Sequence, residues 1–146
     1  MTIAGLATSA FTRRALGASS ALQVTVYKSP TCGCCANWVK HMKTNGVTVE
    51  AHDVSDDMLD QVKTTAGVPA TLRSCHIALG GGYAFEGHVP ADLVKKVMTT
   101  KPKLAGLAVP GMPVGSPGME MAGQADSYQV MAFDRQGKSW VYEKRA

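Results

Sequence analysis

From Gln23 onward the chain switches between two hydrophobic periods. Gln23 to Tyr27 places Val24 and Val26 on one face, the two-residue repeat of a strand. Ser29-Pro30-Thr31 turns the chain, after which Cys35, Trp38, Val39 and Met42 recur at helical spacing until Asn45-Gly46 supplies a stop. Val47 to Val54 returns to alternation, with Val47, Val49 and Ala51 on one face. Ser55 reads as an N-cap, and Asp56 and Asp57 suit the positive end of the helix it opens. Met58, Leu59, Val62 and Ala66 form the expected buried stripe of that helix, and Gly67 ends it. Val68-Pro69 leads into a third strand, Thr71 to Leu79, joined by Gly80-Gly81-Gly82 to a fourth, Tyr83 to Glu86. Pro90 suits the first turn of a third helix that turns Leu93, Val94, Val97 and Met98 inward.

Lys101 to Gln124 breaks both periods. Prolines 102, 110, 113 and 117 and glycines 106, 111, 115, 118 and 123 exclude a regular helix or strand, and Pro-Gly-Met occurs twice, at Pro110-Gly111-Met112 and Pro117-Gly118-Met119. The chain closes with a hairpin, Tyr128 to Phe133 and Ser139 to Tyr142, that extends the sheet or covers an edge. The order β-α-β-α-β-β-α, followed by a Pro/Gly/Met-rich loop and a C-terminal β-hairpin, predicts an α/β domain of thioredoxin-like fold. In that fold the active cysteines start the first helix and a proline, usually cis, opens the third strand; Pro69 stands at the matching place. Residues 23–146 are expected to form a single domain.

The 146 residues are 45% hydrophobic, enough for one sizeable core. A net charge of +4 spread over scattered lysines and arginines, with no basic stripe interleaved with aromatics, argues against a nucleic-acid partner. No apolar run approaches the length of a membrane-spanning helix, so no stable membrane insertion is expected. Residues 1–22 read as a leader outside the fold, either an export signal or a disordered extension. Thr12-Arg13-Arg14-Ala15-Leu16 is similar to the start of a twin-arginine signal and Ser19-Ser20-Ala21 to a cleavage site, while Gly17, Ser19 and Ser20 interrupt the apolar stretch.

The chemistry concentrates in Ser29 to Met42, where Cys32, Cys34 and Cys35 fall within four positions at the start of the first helix. Unpaired backbone N–H groups and the positive end of the dipole favour thiolate there, and thiolate is both the nucleophile and the metal ligand. A bridge between the neighbours Cys34 and Cys35 is strained, so a purely structural disulfide framework explains the cluster poorly. Soft thiolates and thioethers select Cu(I), zinc or iron–sulfur centres, and a structural zinc site usually takes its ligands from two separated pairs. The competing reading is dithiol exchange, with Cys32 attacking and Cys35 resolving.

Cys75 is the candidate fourth sulfur. Adjacent strand residues face opposite ways, so Cys75 and His76 share a site only where the third strand bends or ends; His76 stands as a ligand or as a hydrogen-bonded structural residue. His88, in the loop before Pro90, either approaches the cysteines or caps the third helix. His41 lies about 240° around the helix from Cys35 and reads as a surface residue, as does His52 on the polar face of its strand. Met112, Met119 and Met121 either close over a Cu(I) site with their thioethers or pin the loop to the core.

Taken together, Tyr27-Lys28-Ser29-Pro30-Thr31-Cys32-Gly33-Cys34-Cys35, Ser74-Cys75-His76, Glu86-Gly87-His88-Val89-Pro90 and the run from Gly106 to Glu120 closely resemble the CopG-type family, small bacterial proteins encoded with copper-resistance functions. The resemblance spans roughly Val24 to Glu120, with a weaker echo in the final hairpin. It implies a thioredoxin-like fold, export to the periplasm and copper binding through the cysteine cluster. It carries over Cys32, Cys34, Cys35 and Cys75 as the metal site, with His76 and His88 as further motif positions. The expectation is therefore a periplasmic protein that sequesters copper as Cu(I) and contributes to copper resistance, with copper redox conversion and other periplasmic copper-handling partners as extensions. A metal-binding role is favoured over an enzymatic one, and no catalytic residue is assigned. The alternatives are a thiol–disulfide oxidoreductase using Cys32 and Cys35, and a thioredoxin-like domain with a structural zinc.

Overall fold

The computed structural model describes residues 21–146, so the expected leader at 1–22 lies outside the described residues but for its last two positions. The elements run β1 (Gln23–Lys28), α1 (Gly33–Thr44), β2 (Thr48–Asp53), α2 (Asp56–Thr65), β3 (Ile77–Gly80), β4 (Tyr83–Glu86), α3 (Ala91–Thr100), β5 (Gly106–Ala108), β6 (Tyr128–Phe133) and β7 (Ser139–Arg145). The seven strands form one sheet in the order β2-β1-β3-β4-β5-β6-β7. β1 pairs parallel with β2, β4 parallel with β5, and the remaining neighbours are antiparallel.

The two-residue strand period sorts the core into two layers. Val24, Val26, Ala78, Phe85, Leu107, Val130 and Ala132 pack against Trp38, Val39 and Met42 of α1 and Leu93, Val94 and Val97 of α3. The alternate positions Ile77, Ala84, Ala108 and Phe133 pack with Leu59 of α2 on the other face. Both helix starts form as their sequences require. Ser55 accepts the Met58 N–H, and Cys32 caps α1 by accepting the Cys35 N–H at 3.3 Å.

Several expectations are corrected. The third strand begins only at Ile77; Ala70–Leu72 form a single 3-10 turn, and residues 73–76 are irregular. Pro69 precedes that turn rather than opening the strand, and among the described residues no peptide bond is cis. On α2 it is Leu59 and Lys63 that are buried, four residues apart on one face, while Met58 is 47% exposed. Ala51 is exposed because β2 is an edge strand. The proline- and glycine-rich segment does contain a strand: β5 sits inside the sheet, fully buried between β4 and β6. Only glycine fits its first position, since a Cβ on Gly106 would stand 2.0 Å from the Ala84 carbonyl oxygen. The closing hairpin, β6 and β7, extends the sheet past β5.

Candidate metal centre

Four separate segments converge on the N-terminal end of α1. The first is the start of α1, with Cys32 as its cap and Cys34 and Cys35 in its first turn. Cys32 and Cys35 form a disulfide, and Cys34 and Cys75 are free thiols. The second is the irregular stretch before β3. Because the strand has not begun, Cys75 and His76 escape strand alternation and face one site, the condition that the sequence set for sharing it. The sulfurs of Cys32, Cys34, Cys35 and Cys75 all lie within 4.8 Å of one another, and Cys32 Sγ is 3.4 Å from Cys34 Sγ.

The third segment is the turn after β4. His88 is fully buried, with Nε2 3.0 Å from Cys75 Sγ. Its Nδ1 stands 2.7 Å from the Pro117 carbonyl oxygen, which can only accept, so the proton is on Nδ1 and the Nε2 lone pair faces the sulfur. His76 approaches the same sulfur, with Nδ1 3.3 Å from it. Its ring leans on Trp38, centroids 4.6 Å apart, and meets His88 edge-on at 5.1 Å. His76 Nε2 is buried without a hydrogen-bond partner. Cys75, His76 and His88 form a second group whose donor atoms lie within 4.8 Å of one another.

The fourth segment is the loop, whose two Pro-Gly-Met turns do different jobs. At the first, Ser74 Oγ donates to the Gly111 carbonyl, and Met112 Sδ reaches within 4.0 Å of Cys34 Sγ while the side chain remains 52% exposed. At the second, Pro117 holds the His88 proton. Gly118 is there because a Cβ would stand 2.8 Å from both Cys34 O and Trp38 N, at a φ of +90°. Met121 is exposed.

Two residues that hold the site carried no chemistry in the sequence reading. Lys63 of α2 and Glu86 of β4 form an ion pair at 2.8 Å, with side chains only 5% and 0% exposed. Both grip the same residue: Ser74 N–H donates to Glu86 Oε1 at 2.5 Å, and Lys63 Nζ donates to the Ser74 carbonyl. Next to them, Gly87 N–H donates to the His76 carbonyl at 2.8 Å. The pair thus ties the Cys75–His76 stretch to the strand that delivers His88. Glu86 was legible only as part of the Glu86-to-Pro90 motif, and a lysine inside an otherwise polar helix window gives no signal.

Burial dominates the electrostatics. It pushes the Cys75 thiol up to about 12, with the neighbouring Cys34 adding to the rise, so the free thiol keeps its proton and donates it toward His88 Nε2. Burial holds His76 well below the usual imidazole range, helped by His88, Lys63 and Lys28. Burial also lowers His88, against the opposing hydrogen bond to Pro117. Both imidazoles are therefore neutral near pH 7, the form that binds a metal ion. Burial raises the Glu86 carboxyl, and Lys63 pulls it back.

All six residues singled out in the sequence, Cys32, Cys34, Cys35, Cys75, His76 and His88, meet here. His52 is partly exposed and contacts Glu50, as expected of a surface residue. His41 is not an ordinary surface residue: it accepts the Ala91 N–H at 3.2 Å, capping α3, and burial lowers its pKa. A groove of about 790 Å³ beside α2, lined by Tyr27, Met58, Leu79 and Tyr83 among others, lies apart from the sulfurs. The cluster itself is a packed junction of donors.

Residues 24–71 match the glutaredoxin family, which bears out the thioredoxin-like fold, and residues 72–119 match the family described as Protein of unknown function, DUF411. No curated protein matches. A thioredoxin-like protein whose first helix starts in a sulfur–imidazole cluster able to hold a metal ion is thus defined. Two solved structures, titled Copper resistance protein copG, forms 1 and 2, are similar to it. Form 1 is 43% identical with a TM-score of 0.79, over 85% of this chain and 97% of that one. Form 2 is 42% identical with the same TM-score, over 86% and 98%. The chain belongs to the CopG copper-resistance family.

Replacing Lys63 by Met should remove about 3–5 kcal/mol of stability, because it leaves the Glu86 carboxylate buried without a cation. Urea unfolding measures this. A loss below about 1 kcal/mol, the scale of an exposed pair, would contradict the role given to the ion pair.

Proposed function

We propose that the protein binds copper as Cu(I) in the periplasm and sequesters it, contributing to copper resistance. The observation that carries the reading is the gathering of four sulfurs and two buried imidazoles within bonding reach of common centres. Thiolates and neutral imidazoles suit a soft monovalent ion, and sulfurs packed this closely can bridge more than one. The residues that would hold copper are the half-buried Cys34 and Cys75, Cys32 and the buried Cys35 once their bridge is reduced, and His88, whose Nε2 lone pair is already oriented. Met112 stands over Cys34 at the solvent face, where its thioether adds a neutral soft donor that needs no deprotonation. The names of the similar structures support copper as the metal; the donor set supports the reduced ion.

A second reading is favoured by one observation, the Cys32–Cys35 bridge at the start of α1 in a segment that matches glutaredoxin. In it the pair exchanges disulfides with other proteins, and Cys34, His76 and Met112 have no task. Export to the periplasm draws support from the Thr12-to-Leu16 motif.

Anaerobic titration of fully reduced protein with Cu(I), in competition with a chromophoric chelator, should show at least one tightly held ion per chain. Cys34→Ser should weaken that binding about tenfold or more while leaving any disulfide reductase activity nearly intact. Failure to compete for any Cu(I) despite a full count of free thiols would sink the copper reading and leave the oxidoreductase. For location, Arg13→Lys with Arg14→Lys should strand the protein in the cytoplasmic fraction; unchanged periplasmic recovery, or none with the unsubstituted chain, would contradict export by this signal.

A further inference from the structure

The donors divide unequally with respect to the disulfide. While Cys32 and Cys35 are joined, neither offers a thiolate, and the four-sulfur group loses two of its members. The group of Cys75, His76 and His88 loses none: its three donors come from segments that the bridge does not touch. Its geometry is already close to a coordination site. Zinc sites give the scale: zinc–sulfur and zinc–nitrogen bonds of about 2.3 and 2.0 Å set a tetrahedral S–N separation of about 3.5 Å. Here Cys75 Sγ is 3.0 Å from His88 Nε2 and 3.3 Å from His76 Nδ1. The Pro117 carbonyl fixes the His88 tautomer from the far side of the ring, as an outer partner of a metal-bound histidine does. His76 Nε2 is buried with no partner of its own, so no competing hydrogen bond on the far side of the ring opposes the approach of Nδ1 to an ion.

Resting on the copper-binding reading, we propose that the Cys32–Cys35 disulfide switches the centre between two capacities for soft monovalent metal: closed, Cys75, His76 and His88 hold a single ion; open, the freed Cys32 and Cys35 thiolates join them together with Cys34, and the centre holds more. Opening requires two electrons and two protons from a dithiol donor, whose own sulfurs close a disulfide as Cys32 and Cys35 become thiols. The capacity of the protein then follows the thiol–disulfide poise of its compartment, and a bound ion survives oxidation of the helix pair.

Ag(I) alone is the probe, because it is soft and does not itself reduce the bridge. Full-length protein, oxidised or fully reduced, is titrated without oxygen and the ions are counted by native mass spectrometry. The oxidised chain should take up a single Ag(I) and the reduced chain more. Cys75→Ser should abolish uptake by the oxidised chain, and His88→Ala should weaken it about tenfold or more. No uptake by the oxidised chain, equal uptake by the two forms, or an ion that survives Cys75→Ser would overturn the switch. The first two outcomes are read on the unsubstituted chain and stand whether or not the variants fold. No uptake by either form would count against the copper-binding reading as well.

Discussion

The centre depends on a buried charge pair that lies outside it. Lys63 and Glu86 sit on elements with no cysteine, α2 and β4, and meet at 2.8 Å on the face of the sheet away from α1. Together they hold both backbone groups of Ser74, so the chain is gripped one residue before Cys75 and two residues before His88. Desolvating both charges is expensive, and such a pair persists only when further hydrogen bonds complete it. Here those bonds are the clamp itself. The stretch from Arg73 to His76 has no regular structure to hold it, and the ion pair stands in for the missing strand.

That arrangement lets Cys75 and His76 act together. A regular strand would send them to opposite faces of the sheet. By delaying β3 until Ile77, the fold frees two adjacent residues to face one point, and His88 arrives from the neighbouring strand. The loop then closes the centre from outside, Gly111 tied to Ser74 and Pro117 to His88. The repeated Pro-Gly-Met is thus two distinct fasteners, and only the first brings its methionine to a sulfur.

Much of this was legible in the sequence, for local reasons. Val24 and Val26, the Trp38–Val39–Met42 stripe and the inward face of α3 obey simple periods because each packs on a continuous core. The cluster was legible because three cysteines in four positions need a reason, and because Cys75, His76 and His88 stand in motifs that resemble the CopG-type family. What stayed hidden depended on distant partners. Lys63 turns inward because Glu86 waits there, which rotates Met58 outward against its hydropathy. β5 is three residues long, and its glycine is dictated by an Ala84 carbonyl on another strand. His41 looked solvated because nothing in its helix reveals the Ala91 N–H above it.

The central claim is that sulfur from the helix start and nitrogen from the buried histidines share one metal centre. X-ray absorption at the copper edge, on reduced protein loaded anaerobically with Cu(I), tests it most directly. The account predicts a first shell dominated by sulfur, with the outer scattering of at least one imidazole that disappears in His88→Ala. A shell of nitrogen and oxygen alone, or a sulfur shell with no imidazole contribution, would contradict it.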